Sequence, residues 1–266
     1  MSKINEKLMK KVCVDLRVHS VEHLSERHVL LRLRSEDSLP EMVPGQFVEV
    51  KVNNSPTTFL RRPISINLAD NDRREILLLV ASVGDGTRRL THLSEGDMLN
   101  CLLPLGNGFS LPTSLCERFL LIGGGVGIAP LLFLGKKIVD MGGTPFFLLG
   151  ARTACELLEK DRFGELGHLY VTTEDGSEGV RGFVTDHPIL TQQHFDRIAT
   201  CGPKPMMLAV ARYAKREGIA CEVSLENEMA CGLGACLCCV ENTTEGYVCV
   251  CKEGPVFSSD RLLWKI

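Results

Sequence analysis

Between Glu226 and Phe257 the chain reads ENEMACGLGACLCCVENTTEGYVCVCKEGPVF, and six of its twelve cysteines fall within the 21 residues from Cys231 to Cys251. Cys231, Cys236 and Cys239 follow the order C-x4-C-x2-C with further cysteine downstream, which is the ligand spacing of a plant-type [2Fe-2S] cluster. The residues between the first two cysteines are Gly232, Leu233, Gly234 and Ala235. So lean a backbone can fold tightly around a cluster and turn its N–H groups toward sulfur. Two plainer readings compete. A disulfide framework belongs to small chains in oxidising compartments, and a zinc site usually brings two C-x2-C knuckles. The length and the single partner region after C-x4-C-x2-C favour iron and sulfur. The fourth ligand stays open from spacing alone. Tyr247 to Cys251 alternates like a strand, so Cys249 and Cys251 fall on one face, and Cys238 is a spare thiol beside Cys239.

Working outward, 266 residues suggest two domains with room for a small third, at about 150 residues per domain. A hydrophobic content of 44%, a charged content of 24% and a net charge of −3 describe an ordinary soluble chain. There is no basic stripe of the kind nucleic acid requires, and no polybasic surface for a membrane. The opening stretch MSKINEKLMKKVCVDLRV holds lysines but no apolar core of a signal peptide. The longest apolar run, Phe119 to Leu134, contains four glycines and a proline and is too short to span a bilayer. A cytoplasmic location is expected.

From Lys10 to about Leu103 the pattern is β. Val29, Leu31 and Leu33 alternate with His28, Leu30, Arg32 and Arg34, and Val48, Val50 and Val52 alternate with Phe47, Glu49 and Lys51. Short strands divided by Gly, Pro, Asn and Asp predict an antiparallel barrel. After Pro112 the style changes. Apolar strands are predicted at Arg118 to Ile122, Pro145 to Leu149, Leu169 to Thr173 and Arg197 to Thr200, with helices at Ala129 to Met141, Cys155 to Phe163 and Pro205 to Arg216. Alternating β and α units imply a doubly wound parallel sheet. The expected order is therefore a barrel domain (1–112), an α/β nucleotide domain (113–224) and a cluster domain (225–266).

Four further motifs point to ligands. Arg61-Arg62-Pro63-Ile64-Ser65 can place a guanidinium fork and a hydroxyl on a pyrophosphate and a flavin edge, although alone it also reads as a solvated basic pair. Gly84-Asp85-Gly86-Thr87 opens a short helix whose N–H groups could attract phosphate, or is a plain turn. Gly123-Gly124-Gly125-Val126-Gly127-Ile128-Ala129-Pro130 follows a strand and precedes a helix, the setting in which a glycine motif reads as a dinucleotide site. Pro130 is tolerated there because early helical positions need no N–H bond. Thr200-Cys201-Gly202-Pro203-Lys204-Pro205 lies at another strand end, on the rim where doubly wound sheets bind ligands. The seven histidines form no convincing metal pair, although His19 and His23 have the bare spacing.

A barrel with R-x-x-S, then G-x-G-x-x-P, then C-G-P-x-x-M resembles the ferredoxin-NADP reductase superfamily over Lys10 to about Ser224. RPIS at Arg62 to Ser65, the pair Gly86-Thr87, SLENEMACGLGACLCC from Ser224 and CKEGPVF from Cys251 together resemble the electron-transfer subunits of class 1B dihydroorotate dehydrogenases. The resemblance implies FAD on the barrel, held by Arg62, Pro63, Ile64 and Ser65, by Leu79, Val80 and Ala81, and by Gly86 and Thr87. It implies NAD at Gly125, Gly127, Pro130, Cys201, Gly202 and Pro203. It also chooses Cys231, Cys236, Cys239 and Cys251 as cluster ligands, because the family's fourth cysteine shortly precedes the acidic-Gly-Pro-Val-Phe segment matched by Glu253 to Phe257. The implied partner is an FMN-containing dihydroorotate dehydrogenase subunit, two copies of each forming a heterotetramer. Electrons would run from FMN through cluster and FAD to NAD, with no general acid or base in this chain. The neighbouring possibility is the small subunit of a ferredoxin-linked NAD(P)H oxidoreductase or hydrogenase. Arg152, after the second sheet strand, leaves NAD against NADP open.

Overall fold

The computed structural model describes residues 10–53 and 55–264. The expectation about a leader falls largely on residues 1–9, outside the described residues. Strands β1 (Val12–Ser25), β2 (His28–Arg34), β3 (Phe47–Val50), β4 (Arg62–Asp70) and β5 (Glu75–Ala81) precede helix α1 (Asp85–Leu90) and strand β6 (Met98–Leu105). The six strands close in the order β1-β2-β5-β4-β3-β6. Strand alternation sends Leu31, Leu33, Val48, Val50, Ile66, Ile76 and Leu78 into the barrel, all buried. Leu30, Leu77 and Leu79 point outward, yet they too are buried, because they pack against the core of the second domain. With both faces covered, β5 reads as a continuous apolar run, ILLLVA, instead of alternating.

The second domain carries β7 (Phe119–Gly124), α2 (Ala129–Asp140), β8 (Phe146–Ala151), α3 (Lys160–Leu166), β9 (His168–Thr173), β10 (Val180–Arg181), α4 (Ile189–Gln192), β11 (Arg197–Cys201), α5 (Lys204–Glu217) and β12 (Ala220–Ser224). The predicted helix over Cys155 to Phe163 is broken. A 3-10 turn covers Ala154–Glu156, Glu159 takes a left-handed conformation (φ 53°), and α3 starts only afterwards. The carboxylate of Glu159 is tied to the barrel, a constraint that local periodicity does not carry.

The remaining elements are β13 (Val240–Thr243), β14 (Gly246–Cys249), α6 (Val250–Glu253) and β15 (Val256–Ser258). The larger sheet runs β10-β9-β8-β7-β11-β12-β15. Its first six members are parallel, and β15 joins antiparallel on β12, with Val223 opposite Phe257. The expected parallel sheet thus has a mixed edge, because the chain returns after the cysteine segment to cover β12. One apolar core unites Phe47 and Leu105 of the barrel, Val223 of the sheet, and Cys239, Cys251 and Phe257 of the last segment. That arrangement fixes the cysteine loop against both other domains.

Candidate functional site

The cysteine loop is built by residues in left-handed conformations. Gly232 (φ 67°), Gly234 (φ 80°) and Leu237 (φ 59°) curl the backbone so that its N–H groups turn inward. Leu233 and Ala235 donate to Cys231 Sγ at 3.3 and 3.4 Å, Gly234 donates to Cys251 Sγ at 3.1 Å, and the Cys251 N–H donates to Cys239 Sγ at 3.3 Å. The thiols themselves pair, Cys231 with Cys236 and Cys239 with Cys251. Two thiol pairs are the donor set for two irons. Among the described residues, no group of three or more His, Cys, Asp or Glu gathers around a single point.

Electrostatics follow the same geometry. Burial pushes the Cys231 thiol up, but the N–H donors and the Cys236 thiol outweigh it and bring it down to about 6. Burial and the adjoining Cys239 push Cys251 up to about 12. Thiols bind metal as thiolates, so loading these four releases protons. The spare thiols face the opposite environment. Cys238 Sγ lies 3.7 Å from the Glu228 carbonyl oxygen and Cys249 Sγ lies 3.9 Å from the Gly234 carbonyl oxygen. A carbonyl repels thiolate where an N–H attracts it. The period-two pattern over Tyr247 to Cys251 is corrected here: β14 stops at Cys249 and Cys251 sits in the helical turn α6, so the two cysteines do not share a strand face. The turn carries Cys251 inward, buried, while Cys249 stays half-buried.

Beside this loop lies a cleft of about 280 Å³ where all three parts of the chain meet. The barrel contributes Pro63, Ile64, Ser65, Leu79, Ala81 and Thr87; the sheet domain gives Val126 and Ala129; the last segment adds Glu226, Asn227, Met229 and Pro255. A larger open depression beside Lys51, Ser55 and Phe59 gathers none of the candidate residues. Of the predicted strand residues, Leu79 and Ala81 line the cleft, but Val80 is turned into the barrel core and can meet a ligand only through its backbone.

The two arginines separate cleanly. Arg61 Nη1 donates to the carbonyls of Glu49 (3.1 Å) and Asn100 (2.9 Å), bracing strands β3 and β6. Arg62 instead lies over the start of α1, so close that a Cβ on Gly86 would stand 2.6 Å from Arg62 Nε. The missing side chain at Gly86 leaves room for the guanidinium to lie against the turn. Thr87 Oγ1 accepts from the N–H groups of Val83 and Gly84, each at 3.0 Å, so its hydroxyl stitches the turn. An apolar-walled cleft, with the Arg62 guanidinium over the glycine turn near Thr87, suits the ring end of a flavin dinucleotide.

The nucleotide turn is a backbone construction. Gly125 (φ 56°) is exposed, with nothing near the place of a Cβ, whereas a Cβ on Gly127 would meet Gly202 Cα and N at 2.5 Å. The turn after β7 and the turn after β11 therefore pack main chain on main chain, and Pro130 is buried at the start of α2. Cys201 is buried, with Sγ 3.8 Å from Glu226 Oε1. Burial raises the Glu226 carboxyl and the Cys201 side chain lowers it, with a net rise. Glu226 and Asn227 also line a smaller pocket with Gly202, Pro203 and Lys204. Both were missed as site residues from sequence. The signal was available: they follow the carboxyl end of β12, on the same sheet rim as Cys201 after β11.

Comparison with known proteins agrees with this geometry. Residues 226–263 match the iron-sulfur cluster binding domain of dihydroorotate dehydrogenase B. The dihydroorotate dehydrogenase B (NAD(+)) electron transfer subunit of Shouchella clausii is 40% identical over 80% of this chain and 84% of its own length. That of Lysinibacillus sphaericus is 39% identical over 91% and 95%. The chain belongs to this family of electron transfer subunits. Among solved structures, one of an NADH-dependent reduced ferredoxin-NADP oxidoreductase superposes with a TM-score of 0.85 at 29% identity, covering 94% of this chain and 90% of its own. The cytochrome b5 reductase domain of Ulva prolifera nitrate reductase shares the fold at 18% identity, with a TM-score of 0.66. FAD, an iron-sulfur cluster and NAD are the cofactors of the family's fold and domain, and the donor sets described above fit each of them.

Proposed function

We propose that this chain is the electron-transfer half of an NAD-dependent dihydroorotate dehydrogenase, working with an FMN-containing subunit that oxidises dihydroorotate in pyrimidine biosynthesis. The observation that carries the proposal is the shared segment. The residues that hold the paired thiols also supply Glu226, Asn227, Met229 and Pro255 to the flavin cleft, so cluster and flavin are walled by one piece of chain. When bound, the cluster handles electrons singly and the flavin exchanges them in pairs with nicotinamide. The chain's own residues orient and insulate. Cys231, Cys236, Cys239 and Cys251 hold the cluster; Arg62, with the Gly86 turn, holds the flavin pyrophosphate; Ser65, Leu79 and Ala81 seat the ring system; Gly125, Gly127 and Gly202 let the second dinucleotide approach the main chain. Glu226, whose carboxyl burial pushes above its ordinary range, lines the same cleft. No residue is assigned as a base for breaking the carbon–hydrogen bond of dihydroorotate, which is the partner's task.

Two copies of each subunit are proposed, in the cytoplasm, where a reducing environment preserves the twelve free thiols. No described helix is long and apolar enough to cross a membrane. The test is partnership. The isolated chain should reduce ferricyanide with NADH and leave dihydroorotate untouched, and adding the FMN subunit should give dihydroorotate-dependent NAD⁺ reduction. Turnover of dihydroorotate by this chain alone would overturn the division of labour. A ferredoxin-linked oxidoreductase subunit is the second reading, favoured by the 29% identity and 0.85 TM-score of the solved ferredoxin-NADP oxidoreductase. Oxidation of reduced ferredoxin by the chain, with no response to the FMN subunit, would choose it.

A further inference from the structure

Two local irregularities face each other across the boundary between barrel and nucleotide domain. The first is in β4, two residues beyond Ser65. The pairing of β4 with β5 steps from Ile66 opposite Leu78 to Leu68 opposite Leu77, leaving Asn67 as the unpaired residue of a bulge. A bulge re-aims the side chain it carries, and Asn67, wholly buried, is aimed out of the barrel. The second irregularity is Glu159, which holds a left-handed conformation (φ 53°) ahead of α3 although it is not glycine. L-residues adopt that conformation only against a steric penalty. The two side chains meet: Asn67 Nδ2 donates to Glu159 Oε2 at 2.8 Å.

The chain of contacts continues. Arg162 Nη1 donates to the other oxygen of Glu159 at 2.7 Å, and its Nη2 donates to Glu22 Oε2, on β1, at 2.6 Å. Barrel, nucleotide domain and barrel again are linked in one line. The rest of the boundary is largely apolar; Phe133 of α2, for example, is buried in the barrel's own cluster. Apolar contact is strong but non-directional, so it resists separation better than sliding. An ion pair with one buried partner, as Glu159 is here, adds little net stability yet can specify one geometry. Backbone strain of the kind Glu159 carries is found where position matters to function.

We propose that Asn67, Glu159, Arg162 and Glu22 form an orientation clamp that sets the nucleotide domain's position over the flavin strand, Glu159 being a positioning residue for transfer between nicotinamide and flavin. The proposal rests on the reading that β4 holds FAD and that the turn after β7 holds NAD. Transfer between two bound cofactors depends steeply on alignment, a displacement of about 1 Å costing up to roughly a hundredfold in rate. The clamp acts on that alignment and touches neither cofactor.

The experiment uses the protein purified with FAD and cluster and follows flavin bleaching by NADH in a stopped-flow instrument. Asn67→Asp sets two carboxylates face to face and should slow bleaching by about tenfold or more. FAD content, iron content and the dissociation constant for NADH should stay within about twofold. The double variant Asn67→Asp with Glu159→Gln restores one donor and one acceptor with their direction reversed, and should recover most of the rate. Glu22→Gln, at the exposed end, should slow bleaching only a few-fold. An unchanged rate in Asn67→Asp, or no recovery in the double variant, overturns the clamp. If Asn67→Asp sheds its flavin and the double variant does not regain it, the contact is structural and the proposal also falls. Failure of the unaltered protein to bind FAD or NADH would instead overturn the cofactor reading.

Discussion

The cysteine loop and the glycine turns offer opposite means of holding a ligand. At Cys231 to Cys251 the proposed ligand set is made of side chains: four sulfurs, with N–H groups converging on Cys231, Cys239 and Cys251. At Gly123 to Pro130 and Cys201 to Pro203 a ligand would be approached by bare main chain, and side chains matter mainly by being absent. The first kind of site is therefore sharply sensitive to one atom at one position. The second tolerates change wherever space is open and fails where two backbones touch.

The largest expected effect breaks the cysteine loop. Cys251→Ser should lose the cluster, because a serine oxygen is a poor substitute for soft thiolate coordination. Cys249→Ser and Cys238→Ser should keep it, since their sulfurs face carbonyl oxygens. Iron content and the EPR spectrum of the reduced protein decide; an intact cluster in Cys251→Ser would return the fourth ligand to Cys249.

The next effect falls on the glycine turns and divides them. Gly127→Ala forces a Cβ to within 2.5 Å of Gly202 main-chain atoms, which cannot swing aside as a side chain would. We expect a loss of roughly 1–3 kcal/mol in stability, as for overpacked cores, and NADH affinity weakened by about tenfold or more, equivalent to roughly 1.4 kcal/mol. Gly125→Ala meets nothing within 4 Å and bears only its positive φ of 56°; it should cost about 1 kcal/mol. Thermal unfolding with NADH titration measures both, and equal effects from the two would show that the turns do not pack as described.

A comparable effect tests the flavin cleft, which combines both strategies. Arg62→Ala removes a charged donor and should weaken FAD binding by roughly 1.5–3 kcal/mol. Thr87→Ala should cost less, about 1 kcal/mol, because that hydroxyl stitches its own turn. Flavin retention after dialysis of dilute protein gives the order, and an Arg62→Ala protein that keeps flavin as well as the unaltered chain would remove Arg62 from the site.

Sequence legibility divided along the same line. The candidate ligand cysteines, Arg62 and the glycine turns stand out in the sequence because the proposed chemistry asks for those residue types at those spacings. The strands at His28 to Arg34 and from Phe47 in the barrel, and four of the sheet strands, were readable from their period, within a residue or two at the ends. What stayed hidden was set by contacts distant in sequence. Cys251 looks like a strand residue until α6 is seen to turn it inward. The break before α3 depends on Asn67, 92 residues earlier. Leu30, Leu77 and Leu79 become core only when a second domain covers them. Glu226 is followed so closely by the cysteines that its place on the sheet rim was assigned to the cluster instead.

A last effect, confined to the pH profile, comes from the one residue where both strategies meet. Glu49 of β3 is wholly buried beneath the cysteine loop; a Cβ on Gly232 would lie 2.7 Å from Glu49 Cγ, and neither carboxylate oxygen has a hydrogen-bond partner. Burial pushes the carboxyl up to about 7; Arg61 and Arg62 pull it down and the charge of Cys231 adds to the rise. An acid whose folded value is raised binds its proton more tightly folded than unfolded. Stability is therefore greatest below its ordinary value of 4.5 and falls as pH climbs toward 7, beyond which the loss is complete. Glu49→Met keeps length and volume while removing the charge. It should flatten the stability profile between about pH 5 and 7 and leave the variant more stable at pH 8, by about 1–2 kcal/mol. Chemical unfolding at several pH values measures this. A variant less stable than the parent at pH 8, or a parent profile already flat across that range, would mean that the carboxyl finds a partner beneath the loop and that the two regions are joined there by a bond rather than by packing alone.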